Sequence, residues 1–167
     1  LAGLRFAVPK QYVLDDLDPV VAKAFERACA ALAAKGVRIE RIDLPQLNEL
    51  AGINAKGGFA AAESYAWHKA LIARRGNVYD PMVAPRIRRG AEMTAADYID
   101  LLAARADFQR RVWAIAADYD ATIMPTCAIV APTIDEVATA EGFTKKNMLL
   151  LRNTAAGNFL DCCGISL

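Results

Sequence analysis

This chain has few side chains of the kinds that do covalent chemistry. Its 167 residues hold two serines, Ser64 and Ser166, one histidine, His68, and four cysteines, Cys29, Cys127, Cys162 and Cys163. A nucleophilic serine needs a base within hydrogen-bond reach. Ser64, in Ala-Glu-Ser-Tyr, falls mid-helix, and Ser166 alternates with Ile165 in an expected strand. No G-x-S-x-G elbow is present. Both serines therefore read as structural. A thiol hydrolase would need His68 beside Cys127, Cys162 or Cys163, and linear spacing does not bring them together. The vicinal pair Cys162-Cys163 cannot readily bridge to itself, and no C-x-x-C spacing occurs. With a single histidine, a zinc site would have to be all-cysteine, which the spacing argues against. The expectation is four reduced thiols, Cys29 being a small core residue on a helix. No catalytic residue and no metal ligand is assigned.

The arginines carry more information. Arg86 opens the run Arg-Ile-Arg-Arg-Gly just after a Pro-rich loop. Loops on a rigid scaffold are where ligands meet side chains, and a guanidinium grips a carboxylate through two parallel hydrogen bonds. Its other reading is a solvated loop charge. Arg105 shares a helical face with Tyr98, Leu101, Leu102 and Phe108. A guanidinium there must snorkel or find a partner, because an unpaired buried charge is costly. Asp120 and Asp161 are the candidate partners, making Arg105 a structural tie. Asp161 lies within an apolar run and is expected to cap or hydrogen-bond backbone.

These side chains need elements to hold them. Residues 4–8 read as a buried strand ending at Pro9. Asp18-Pro19 starts a helix, with Asp as N-cap and Pro in the first turn. Val21, Ala24, Phe25, Ala28 and Leu32 recur at helical spacing, and Gly36 stops the helix. A second strand over 37–44 completes a strand–helix–strand crossover, which requires a parallel pair. Residues 47–75 are mostly helical with an interruption at Gly57-Gly58, and 76–85 read as a loop. Thr94 and Asp97 form a capping box opening the longest helix, with Tyr98, Leu101, Leu102, Phe108, Val112 and Ile115 as its apolar stripe. A third strand covers 121–124. Pro132 and Gly142 mark a long loop, 145–152 a short helix, and 164–167 a fourth strand. Strands separated by helices give an α/β fold, a mixed sheet covered by helices. There are no repeats and no linker, so residues 1–167 read as a single unit.

Composition narrows the function classes. Net charge is +1 with a pI of about 7.8, which leaves no electrostatic footprint for nucleic acid. No apolar run reaches the ~18 residues needed to span a bilayer, and no signal peptide opens the chain, so a cytoplasmic protein without membrane contact is expected. The apolar share of 55% is high for a free-standing domain of this size and fits a segment that packs against missing partners.

Several short stretches line up in order: Tyr79-Asp80-Pro81, Arg86-Ile87, Gly90, Thr94, Asp97-Tyr98, Ala104-Arg105, Tyr119-Asp120 and Ala121-Thr122-Ile123-Met124-Pro125-Thr126. Arg152-Asn153-Thr154, Asn158 and Ile165-Ser166-Leu167 follow. The ordered set resembles the C-terminal half of the amidase signature family, over nearly the whole chain. The resemblance implies a hydrolase of linear carboxylic amides that uses a Ser–Ser–Lys triad and an acyl-enzyme. The triad motifs lie in the N-terminal part of the family domain and match nothing here. The chain is therefore expected to be a truncated piece without activity of its own. Its expected partners are a small-molecule amide substrate and the missing N-terminal part of the same domain; a homo-oligomer stays open, and no cofactor is expected. The resemblance also implies that Arg86 holds a substrate carboxylate, as an Arg of the Arg-Ile-x-x-Gly region does in the A subunit of glutamyl-tRNA amidotransferase. Asp161 and Cys163 stand where many members carry Gly and Pro, and the Asn-Phe-Leu-Asp-x-Cys form is closer to bacterial amidases and allophanate hydrolase. Two alternatives remain: a non-catalytic scaffold or binding module completed by a partner chain, and the A-type subunit of a tRNA-dependent amidotransferase.

Overall fold

A computed structural model describes residues 1–166. In chain order the elements are β1 (Arg5–Pro9), α1 (Pro19–Ala34), β2 (Arg38–Ile42), α2 (Leu50–Ile53), α3 (Gly58–Arg75), α4 (Ala84–Arg88), α5 (Ala95–Ala116), β3 (Ala121–Thr122) and α6 (Ala140–Leu160), with short 3-10 turns between them. The fold is α/β. The strand order is β2-β1-β3. Both described pairs are parallel, Arg5 facing Arg38 on one side and Phe6 facing Ala121 on the other.

The crossover forms as the sequence dictates. The Asp18 carboxylate accepts the Val20 backbone N–H at 2.7 Å and Pro19 occupies the first turn, so two of the helix's open donor positions are dealt with locally. Gly36 ends the turn after α1 with φ +89, a conformation that strains any residue with a Cβ. Ala7 and Val8 point to opposite faces of β1, and both are fully buried. Burial on both faces is what a central parallel strand demands. β2, at the edge, exposes Arg38 and Arg41, charges that discourage pairing with another chain.

The described residues pack as two compact units, one of residues 1–48 together with the chain from Phe108 onward, the other of residues 49–107. The chain between β2 and β3 is long enough to bury its own apolar faces. The first unit holds the sheet, with Phe108 of α5 packed edge-to-face on Phe159 of α6 at 5.4 Å between ring centres. The second buries Leu50, Ala61, Ile72, Ala84, Ile87 and Leu101.

Sequence expectations change at several points, beginning with the strands, where β2 and β3 are shorter than 37–44 and 121–124. The helix expected over 145–152 runs from Ala140 to Leu160. Its N-cap is Thr139, whose hydroxyl accepts the Gly142 N–H at 3.1 Å, so Gly142 lies inside the first turn rather than in a loop. The local capping bond outweighs the low helix propensity of glycine. Gly164 to Ser166 show no strand pairing, and Leu167 lies outside the described residues. Arg86, expected beside a loop, sits on α4. Leu102, expected in the apolar stripe of α5, is 46% exposed, whereas Leu101, Phe108 and Val112 are buried. The narrower stripe reflects what the helix packs against, which its own periodicity does not contain. The capping box at Thr94 forms as expected. Thr94 Oγ1 accepts the Asp97 N–H at 3.1 Å, and the Asp97 carboxylate accepts the Thr94 N–H at 2.9 Å.

Among the described residues no helix is long and apolar enough to cross a membrane.

Candidate functional site

Each unit has a place where polar groups gather around a shaped backbone. In the second unit a cavity of about 300 Å³ is lined by Gly57, Ala60, Ala61 and Ser64 on one side and by Val83, Arg86, Ile87 and Arg89 on the other. Gly57 stands at φ +104 just before α3, and a Cβ there would lie 2.6 Å from the Cβ of Ala61. Glycine is thus required both by the backbone and by the close approach. Ala60, Ala61 and Ser64 share adjoining positions on α3, and their small side chains leave the space open.

The three arginines of the run divide by partner. The Arg89 guanidinium donates to the Ala55 carbonyl oxygen, so it ties the segment before α3 to the end of α4. A Cβ on Gly76 would lie 2.5 Å from Arg88 Nη2, so Arg88 packs on the turn after α3. Arg86 is exposed, lines the cavity, and has no hydrogen bond or ion pair to a described residue. Its donors remain available to an anion.

The serine in this cavity is not activated. Ser64 Oγ donates to the Ala60 carbonyl at 2.5 Å, a bond back to the preceding helical turn. His68, one turn further along α3, has its Nδ1 2.8 Å from the Tyr79 hydroxyl, with the two rings edge-to-face. The sole histidine thus joins α3 to the Tyr79 loop. The Arg105 guanidinium sits 5.4 Å from the centre of the Phe59 ring, a cation–π contact that sequence spacing gave no sign of. Asp120, one of its two expected partners, accepts the Arg5 backbone N–H at 2.8 Å. Asp161 caps α6 at φ +60, in line with the backbone role expected of it.

All four cysteines are free. Burial, then the neighbouring charges of Cys163 and Asp161, push the Cys162 thiol up from its ordinary value, although the residue as a whole is exposed. Burial pushes the Cys29 thiol up as well. Both shifts disfavour the thiolate that a nucleophile needs. Among the described residues no three His, Cys, Asp or Glu side chains converge in a way that could hold a metal ion.

The first unit carries its polar groups at the carboxyl ends of the strands. Asn153 on α6 is fully buried and donates to two backbone carbonyls, Val13 at 2.9 Å and Pro125 at 2.7 Å. These belong to the loops that follow β1 and β3. Gln11 joins the loop after β1 to the one after β2, accepting the Leu44 N–H at 2.7 Å and donating to Asp43 at 3.1 Å. The sequence marks Asn153 only as part of Arg-Asn-Thr; its partners lie 140 and 28 residues away, and no local pattern announces them. At the opposite ends of the strands, Glu40 accepts from the Arg5 guanidinium at 3.2 Å and from the Tyr119 hydroxyl at 2.9 Å. Those two bonds, the Tyr119 one foremost, hold the Glu40 carboxyl below its ordinary value.

The family model described as Amidase matches residues 1–167. Over 169 residues the chain is 31% identical to 2-amino-5-chloromuconic acid deaminase of Comamonas testosteroni, an alignment that covers 99% of this chain and 36% of that protein. It is 30% identical over 159 residues to an amidase of Pseudomonas putida, covering 93% of this chain and 34% of that one. Among solved structures it resembles the S177A variant of Kluyveromyces lactis allophanate hydrolase, with a TM-score of 0.81 and 26% identity, over 95% of this chain and 25% of that one. The chain spans about a third of the length of each of these two relatives.

Proposed function

Because the chain belongs to the amidase family, we propose that it forms part of an amidohydrolase cleaving linear carboxylic amides, with a Ser–Ser–Lys triad supplied by residues outside this chain. The observation that carries this reading is the match of the family model across all 167 residues. The state of three of the chain's own nucleophiles supports the second half of it. Ser64 is bonded back to its helix, and the Cys29 and Cys162 thiols are shifted away from the thiolate. In such an enzyme the serine oxygen attacks the amide carbonyl, the C–N bond breaks, and the amine leaves with a proton delivered through the relay. Water then cleaves the acyl ester and restores the serine.

The part assigned to this chain is recognition. Arg86, exposed and unpaired on the wall of the cavity, would hold a carboxylate of the substrate by a two-point, charge-assisted contact. A relative that acts, by its name, on 2-amino-5-chloromuconic acid supports acidic substrates as the class. The test is an amide-hydrolysis screen of the full-length protein against matched acidic and neutral amides, alongside the sequence upstream of Leu1. Turnover together with an upstream lysine and Gly/Ser-rich run is expected. A full-length protein that hydrolyses no amide in the panel would overturn the reading and leave the binding-module alternative.

A further inference from the structure

The geometry points to Asn153 as a positioning residue that, with Arg152, fixes the loop after β1 against the loop after β3 at the carboxyl ends of the strands; the inference rests on the amidohydrolase reading above. In an open parallel sheet, ligands bind outside the carboxyl ends of the strands, where neighbouring connections leave in opposite directions. In the order β2-β1-β3 the connection from β1 runs to β2 on one side while β3 lies on the other, so the loops that follow β1 and β3 adjoin at the carboxyl ends of these strands. Asn153 reaches these loops from α6 and bonds one backbone carbonyl in each, Val13 and Pro125.

Each polar atom of the Asn153 side chain is engaged. Its amide protons go to the two loops, and its Oδ1 accepts from Arg152 Nε at 3.2 Å. Arg152 in turn donates to the Asp15 carbonyl at 2.5 Å and lies 5.8 Å from the centre of the Tyr12 ring. The segment they hold is unusual in its backbone. Tyr12 and Asp16 have φ +67 and +47, two of the three non-glycine residues at positive φ among those described. Such residues persist only where the surroundings over-determine them, and they gather at functional sites. Here the surroundings do so in detail. The Tyr12 N–H goes to the Asp15 carboxylate at 3.0 Å, and the Asp18 N–H goes to the Ala128 carbonyl at 2.9 Å.

A side chain needed only to fill space would be apolar, since a buried amide is tolerated only when all its bonds are made. What the amide adds is a fixed spacing between two loops. The shape of residues 12–16, and the direction in which Tyr12 is presented, depend on that spacing. Asn153 acts through the loop and touches no substrate.

The test uses the full-length protein with Asn153→Ala and, separately, Arg152→Lys, which keeps the cation but loses the planar fork. Hydrogen exchange of the peptide covering residues 10–18 is measured beside that of β1 and β2, and kcat and KM are measured on one amide at a temperature where each variant is fully folded. Exchange at residues 12–16 should quicken at least about tenfold with the strands unchanged, and kcat should fall about ten- to a hundredfold with KM within about threefold, the scale of a small misplacement. Arg152→Lys should give the smaller change of the same kind, and it carries the test if Asn153→Ala does not fold. Unchanged exchange in the loop overturns the inference, as does faster exchange with kcat preserved, which would make the bonds a structural tie alone. A wild-type protein inactive on every amide overturns the amidohydrolase reading and this inference with it. An active wild type with unresponsive variants overturns the inference alone.

Discussion

Replacing Arg86 by alanine in the full-length protein should weaken turnover of acidic amides and leave neutral ones nearly untouched. The side chain is exposed on α4 and bonded to no described residue, so its removal breaks nothing inside the fold. What it removes is a cation on the wall of a cavity of about 300 Å³. Two unit charges about 4 Å apart attract by ~1 kcal/mol in bulk water and ~4 kcal/mol at the effective dielectric near a protein surface. A charge-assisted hydrogen bond measured by mutation falls between those bounds, about 1.5–3 kcal/mol. That corresponds to a loss of roughly ten- to a hundredfold in kcat/KM. The assay compares kcat/KM on pairs of amides that differ only by a carboxylate against a carboxamide or methyl group. Arg86→Lys should recover part of the loss, because an ammonium keeps the charge without the planar fork. Thermal melting of both variants should match the wild type. Equal losses on acidic and neutral members of each pair would refute the carboxylate clamp, and a lowered melting temperature would reassign Arg86 to the structure.

Two further predictions concern stability. Two glycines should respond with opposite signs: Gly90→Ala should lower the melting temperature, because the new Cβ would overlap the Ala61 carbonyl and lie 2.7 Å from Tyr65 Cβ, whereas Gly157→Ala meets nothing within 4 Å and should stabilise α6 by about 0.5–1 kcal/mol; two melts of the same sign would contradict this packing. Acid should weaken the protein through Asp97 and Glu136, both held at about 2. Asp97 is lowered from 3.8 first by its 2.5 Å bond to Lys56 and then by Thr94; Glu136 is lowered from 4.5 first by its 2.6 Å bond to Lys146 and then by Thr133. A lowered carboxylate contributes stability above its unfolded value and loses it as pH falls through its folded one. Asp97→Asn and Glu136→Gln should therefore melt below wild type near neutrality, with the gap closing between about pH 4.5 and 2. A gap that stays constant over that range would remove the linkage.

Much of the framework is legible in the sequence because it depends on neighbours along the chain. Asp18-Pro19, Gly36 and the Thr94–Asp97 box place helix ends through bonds made within a few residues. The strand–helix–strand spacing is enough to require β1 and β2 to run parallel. The ordered motifs around Tyr79, Arg86 and Tyr119 pointed to the family that the whole chain matches. Tertiary structure decided what depends on distant partners. It extended α6 from Ala140 to Leu160, since a helix end follows from what caps and covers it. Only the fold distinguishes Arg89, spent on the Ala55 carbonyl, from Arg86, left open three residues earlier on the same short stretch. It set Arg105 over the Phe59 ring, a contact between residues 46 apart that periodicity does not encode. Asn153 makes the contrast sharpest. As a letter it is one polar residue in a helical run, and it becomes the tie between two loops only because β1 and β3, more than a hundred residues apart, lie side by side.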